Sequence, residues 1–246
     1  MKVLTIQHSS GSGGSPMSLF YLLESLSDKI DPVVVFCSSG PSSEFFKSEG
    51  YTLEISNQLP LFPHCTIQHM RLNPLDRDFY RNLNFYMKQL LKIPRAFAAM
   101  KKLIESHKPD IIHLNSSVLL IEGIMAKRLG VPVVWHLRDF IEYGNFGLRS
   151  RIAGNIIRNN SKRIIALCES EAKRVGESDK LRVIPNFVEP GYFEKSLGDA
   201  EQLRQRIGIV EDKKLIGMLG WITPDKGAEV IIRAMPLILK EHPNAV

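Results

Sequence analysis

Lys108–Asp139, KPDIIHLNSSVLLIEGIMAKRLGVPVVWHLRD, is the stretch whose reading decides the fold. Asp110–Leu114 and Val131–His136 are short, unbroken apolar runs, the pattern of strands covered on both faces. Val118–Leu129 between them reads as a helix. Strand, helix and strand in that order form a crossover unit, whose two strands run parallel. The pattern repeats on both sides. Lys2–Gln7, Pro32–Cys37, Arg163–Leu167 and Leu181–Ile184 read as further strands, with Tyr51–Ser56 a weaker one. Pro16–Ser27, Ser42–Glu49, Asp78–Ser106, Leu148–Asn159 and Glu169–Val175 read as the helices between them. The expectation is an α/β, doubly wound parallel sheet of Rossmann-like type.

A boundary is expected after Ile184, where Pro185-Asn186 opens an irregular stretch through Pro190-Gly191. The pattern then restarts: Gly198–Ile207 reads as a helix, Lys214–Leu219 as a strand, Gly220–Gly227 as a turn and Ala228–Lys240 as a helix. Another strand would begin at Pro243–Val246. One strand and one helix bury no core, so residues 191–246 are expected to be a linker and the truncated beginning of a second Rossmann-like domain, behind a first domain at 1–190.

The composition, 44% hydrophobic and 24% charged over 246 residues, is that of a globular chain. Cys37, Cys65 and Cys168 form neither a CxxC pair nor an even framework, which favours a reducing, cytoplasmic setting. The opening apolar run is too short for a signal peptide, and no run reaches the ~18 residues of a membrane span. The formal net charge is +6, and its location is informative. Nine basic residues against three acidic ones between Arg71 and Lys108 account for the whole excess. That concentration indicates a local docking face rather than a nucleic-acid binder.

Within Asp78–Ser106, Phe79, Leu83, Tyr86, Leu90, Ile93, Phe97, Met100 and Ile104 step by three and four, an apolar helical stripe expected to pack on the sheet. Arg81, Lys88, Lys92, Arg95 and Lys102 keep the same rhythm about 200° round the helix, a basic stripe that in the plain reading is merely solvated. Tyr80 and Phe85 fall off the stripe and could insert at an anionic membrane surface. A kink is expected at Pro94.

Ligands of such sheets bind beyond the C-terminal strand ends, and here those ends are polar. They read His8 to Ser15, Asn115-Ser116-Ser117, His136-Leu137-Arg138-Asp139 and Cys168-Glu169-Ser170. Pro16 stands where a dinucleotide fingerprint needs a third small residue, and no acid ends the second strand to hold a ribose. A P-loop is absent. What remains is a loop whose amides face a helix N-terminus, with Ser15 as its expected cap and Pro16 at its first position, suited to a phosphate or a sugar hydroxyl. A tight turn that merely needs glycine is the plain alternative. His136 could likewise be structural, and Asp139 could simply pair with Arg138. His64, Cys65 and His69 lack a fourth ligand, so no metal site is assigned.

The segments MKVLTIQHSSGSGGSPMSLFYLLESL, KPDIIHLNSSVLLIEGIMAKRLGVPVVWHLRD, IIALCESEAKRV, RVIPNFVEPGYF and LIGMLGWITPDKGAEVIIRAMPLILKEHPNA resemble, in order, the retaining glycosyltransferases of the GT-B fold. The resemblance implies donor-phosphate contacts from Gly13, Gly14 and Lys226, the last in the pair Lys226-Gly227. It implies a catalytic role for His136 against the transferred sugar and a domain crossover at Asn186. Ser15, Asn115, Ser117, Arg138 and Asp139 would lie on the acceptor and sugar side. Trp221 departs from the family, which often has arginine there, and the family's two-glutamate donor motif would lie beyond Val246.

The implied reaction passes a sugar from a nucleotide-diphosphate sugar to an acceptor hydroxyl with retention, without cofactor or metal. The acceptor would be a glycan or a lipid-linked group. The enzyme would be cytoplasmic, extending to a peripheral position at the inner membrane face through helix 78–106. Two rivals stand beside it. One is a non-catalytic acceptor-binding half served by a partner chain; the other is a nicotinamide-dependent oxidoreductase, disfavoured by Pro16 and the missing acid.

Overall fold

In the computed structural model the described residues are 1–62, 77–141, 147–187, 200–209, 213–220, 222 and 226–246. The expected features at His64, Cys65, His69, Pro190-Gly191 and Trp221 lie outside them. The chain divides into two units, Met1–Phe187 and Val188–Val246.

The first unit holds seven strands: β1 (Lys2–Gln7), β2 (Asp31–Phe36), β3 (Thr52–Ile55), β4 (Ile111–Leu114), β5 (Val133–His136), β6 (Arg163–Ala166) and β7 (Leu181–Val183). All neighbouring pairs are parallel, in the order β3-β2-β1-β4-β5-β6-β7. The connecting helices are α1 (Gly14–Ser25), α2 (Pro41–Ser48), α3 (Arg77–His107), α4 (Leu120–Arg128), α5 (Leu148–Asn160) and α6 (Glu169–Val175). The doubly wound sheet is as the apolar runs require. The order reverses between β1 and β4, which register as Val3 beside Ile111 and Ile6 beside Leu114.

Strand side chains alternate between two cores. Val34 and Phe36 meet Leu19 and Leu23 of α1 and Phe46 of α2 on one face. On the other, Leu4, Ile6, Val33, Val35, Ile112, Leu114 and Trp135 meet α3 to α6. Trp135 is completely buried and donates its indole N–H to the Ser116 carbonyl at 2.8 Å. It packs this closely against α4 only because residue 123 is glycine. A Cβ there would stand 2.3 Å from the ring.

α3 departs from expectation. Its 31 residues span about 46 Å, against about 20 Å for the six of β1. Only the part over the sheet packs, with Gln89, Ala96, Met100 and Leu103 buried and Ile93 and Ile104 partly so. Leu83, Leu90 and Phe97, expected to pack, are exposed because they lie about 90–130° round the helix from the line that packs. The helix continues through Pro94 as one element.

The second unit contains α7 (Ala200–Arg206) and α8 (Ala228–Glu241). Lys214 pairs in parallel with Ala245 through an isolated bridge, where two strands had been read.

Glu122, on the first turn of α4, is fully buried, and neither carboxylate oxygen has a hydrogen-bond partner among the described residues. Burial raises its pKa to about 8, offset in part by its own backbone amide. The folded state therefore holds a proton that the unfolded chain releases near 4.5, so this group's contribution to stability falls as pH rises from about 4.5 to about 8. The Glu122→Gln variant keeps the shape without the titration. Urea midpoints of the two proteins should diverge in its favour across that window. A pH-independent difference would show that the carboxyl is not held protonated.

Candidate functional site

The C-terminal ends of β1, β4 and β5 stand side by side at the reversal of strand order, where the connections to α1 and α4 leave in opposite directions and open a crevice. Gln7 ends β1 fully buried, yet it is polar. Its amide is answered from the neighbouring strand end: Asn115 Nδ2 donates to Gln7 Oε1 at 2.6 Å. Gln7 Nε2 donates to Ser15 Oγ at 3.3 Å and to the Ser9 carbonyl at 3.1 Å. Asn115 Oδ1 accepts from Arg138 Nε at 3.0 Å, and Arg138 Nη1 donates to Asn186 Oδ1. One hydrogen-bonded chain thus joins Ser15, Asn115, Arg138 and Asn186, four residues expected at the site. Gln7, which links two of them, was not foreseen; its signal was an amide closing an otherwise apolar strand.

Asp139 turns the other way. Its carboxylate accepts from Ser116 Oγ at 2.5 Å and stands 4.0 Å from His8 Nε2, while Ser117 Oγ donates to its backbone carbonyl at 3.1 Å. Arg138 is satisfied by the two asparagines, so the simple Arg138–Asp139 pairing is not the arrangement adopted.

His136 ends β5 on the α1 side of the sheet. It lines a cavity of about 60 Å³ with Ser18, Tyr21 and Leu22 of α1, Arg138, and Ile184 to Phe187. Neither ring nitrogen has a partner among the described residues. His113 lies beside it, ring centroids 5.7 Å apart, with Nδ1 3.5 Å from Thr5 Oγ1. Burial first, then Arg138 and His113, push the His136 pKa down to about 2; burial and Arg138 take His113 to about 3. Both rings are neutral at physiological pH. Burial also lowers Arg138, against the pull of Glu171 and Asp139, but only to about 10, so it stays a cation. The cavity therefore holds one positive charge and a neutral imidazole free to donate and accept.

The glycine loop differs from its expected form. α1 begins at Gly14, capped by Gly13 in extended conformation (φ −178°), so Ser15 and Pro16 lie inside the first turn and Ser15 caps nothing. Its hydroxyl serves the Gln7–Asn115 network instead. Neither Gly13 nor Gly14 has a positive φ, and a Cβ added at either meets no atom within 4 Å. A turn that merely needs glycine is thereby set aside. The two residues leave open space over a helix N-terminus, where backbone N–H groups and the helix dipole favour an anion.

Lys226-Gly227 lies in the second unit. Gly227 caps α8 at φ 77°, a left-handed conformation suited to glycine, and Lys226 precedes it on the exposed surface.

The family model of Glycosyltransferase Family 4 matches residues 12–192. The chain belongs to this family. Among its curated relatives, the D-inositol 3-phosphate glycosyltransferase of Frankia alni is 26% identical over 222 residues, 80% of this chain and 52% of that protein. The alpha-monoglucosyldiacylglycerol synthase of Streptococcus pneumoniae is 27% identical over 165 residues, 60% of this chain and 37% of that one. An uncharacterized glycosyltransferase of Methanocaldococcus jannaschii is 42% identical over 66 residues, 26% of this chain and 17% of its own. The chain thus spans about half or less of these relatives. Among solved structures, Anabaena HepE in complex with UDP-glucose aligns with a TM-score of 0.71 at 20% identity, over 100% of this chain and 59% of that one. A glycosyltransferase from Rickettsia africae aligns at 0.62 and 15% identity, over 99% of this chain and 62% of that one. This glycosyltransferase family 4 chain shares their α/β fold.

The open space at the loop makes a prediction. Gly14→Ala should raise stability by about 0.5–1 kcal/mol, since a helical alanine loses less backbone freedom on folding and nothing clashes. Thermal melting reads it. A lowered midpoint would mean that the fold itself needs glycine there.

Proposed function

We propose that this chain supplies the acceptor half and domain crossover of an enzyme that transfers a sugar, with retention, from a nucleotide-diphosphate sugar to an acceptor hydroxyl. The carrying observation is His136: neutral, without a partner among the described residues, and facing a cavity beside Arg138 under α1. A sugar leaving a diphosphate develops positive charge at its anomeric carbon while negative charge collects on the departing oxygen. A neutral imidazole can hydrogen-bond the sugar without repelling the first charge. The α1 amides at Gly13 and Gly14 answer the second by fixed dipoles, and Lys226 is the cation that the family resemblance assigns to the donor phosphates. Ser15, Arg138 and Asp139 form the wall on the acceptor side, fully buried Asn115 and Ser117 hold Arg138 and Asp139 from behind, and Asn186 ties the crossover to that wall. HepE, solved with UDP and with UDP-glucose, supports a nucleotide-sugar donor. The diacylglycerol in the name of the streptococcal relative supports a lipid-linked acceptor.

Two outcomes are expected. The chain of 246 residues alone should show no turnover of nucleotide sugars, because it spans only 52% of the Frankia relative and 59% of HepE, and Lys226 with two loop amides would leave most of the charge on a departing diphosphate unanswered. Ordinary enzymatic rates from the purified chain would refute this. In a protein of the relatives' full length carrying this chain, His136→Ala and Lys226→Ala should each lower kcat/KM by roughly 10²-fold, as loss of one positioned electrostatic group does, with melting temperature unchanged. Normal kinetics in either variant, or loss of activity only through unfolding, would remove that residue from the reaction.

A further inference from the structure

The exposed first half of α3 has no role in the sugar site, and its surface is unlike that of a solvated helix. Leu83, Met87, Leu90, Leu91 and Phe97 are all exposed, from 38% at Phe97 to 73% at Leu91. At 100° per residue they fill an arc of about 120°, centred about 150° away from the buried line of Gln89, Ala96, Met100 and Leu103. Lys88, Arg95 and Lys102 are exposed along the adjoining edge of that arc. From Phe79 to Ile104 there is no acidic residue against six basic ones. These turns stand on the same side as the site. α3 runs back from the C-terminal end of β3 to the start of β4 in a parallel sheet, so its first described turns lie toward the C-terminal strand ends, where Gln89 Oε1 accepts from the Leu61 amide at 3.1 Å.

We propose that this face of α3 docks on an anionic lipid bilayer, with Leu83, Met87, Leu90 and Leu91 in the interface and Lys88 and Arg95 on the headgroups. The occupant is chosen by the chemistry. An apolar arc without a groove, edged by cations, matches an interface that is apolar beneath and anionic above. A second copy of this chain would set two cationic faces against each other. No helix among the described residues is long and apolar enough to cross a membrane, so the contact lies on the bilayer surface. The docking stands on α3 alone and does not depend on the sugar-transfer reading.

Co-sedimentation of the full chain with vesicles tests it, without nucleotide. The chain should pellet with phosphatidylcholine–phosphatidylglycerol vesicles at low salt, be released at high salt, and stay in solution with pure phosphatidylcholine. Lys88→Gln/Arg95→Gln should lower the partition coefficient about 30-fold, roughly fivefold per cation removed. Leu83→Ser/Met87→Ser/Leu90→Ser/Leu91→Ser should lower it at least tenfold with the melting temperature kept, since all four side chains are exposed. Equal recovery with both vesicle types, binding indifferent to either variant, or a dimer in solution that the serine variant converts to monomer would overturn the proposal.

Discussion

The pairing of β1 with β4 is the constraint on which the site depends. Because the chain places β4 beside β1 and not beside β3, the helices that follow these two strands leave toward opposite faces of the sheet. The gap between them is lined by whatever residues end the strands. Here those residues are amides and hydroxyls, and a buried amide is costly unless answered. Gln7 can be buried only because Asn115, across the reversal, points a donor at it. Asn115 in turn presents its oxygen to Arg138. The positions of the arginine and of the crossover asparagine follow from one strand register.

The electrostatics of the crevice follow from the same burial. Two histidines on neighbouring strands share the α1 side with an arginine between them and the crossover. Burial disfavours charge on all three, and the group with the highest intrinsic pKa keeps its proton. The result is a fixed division of labour: a cation at Arg138, neutral rings at His113 and His136. This suits a reaction whose charges separate in the transition state, because each group keeps its form throughout.

Most of the fold was legible. Unbroken apolar strands bounded by polar turns can only be covered on both faces, and the βαβ repeat then forces parallel pairing. The strand-end residues were legible for the same reason, since topology puts them on one edge. What failed was local chemistry with two solutions. Ser15 before Pro16 looks like a cap, but an amide at Gln7 competes for its hydroxyl and wins. The α3 stripe looks like the packing face, but periodicity fixes a spacing and not the direction in which the sheet lies, and the buried line of Gln89, Ala96, Met100 and Leu103 leaves Leu83, Leu90 and Phe97 outside it. Gln7 escaped notice because a single polar residue at a strand end carries no period.

The contact between Gly123 and Trp135 carries a further consequence. The missing side chain and the flat ring fill one volume, so the two positions cannot vary independently: anything larger at 123 requires something smaller at 135. Trp135 precedes His136 on the same strand, and its indole is anchored to the loop that begins with Asn115. A change in the helix would therefore reach the cavity through the backbone of β5. Across related sequences these two positions are expected to be exchanged together or not at all, an inherited coupling set by volume and not by chemistry.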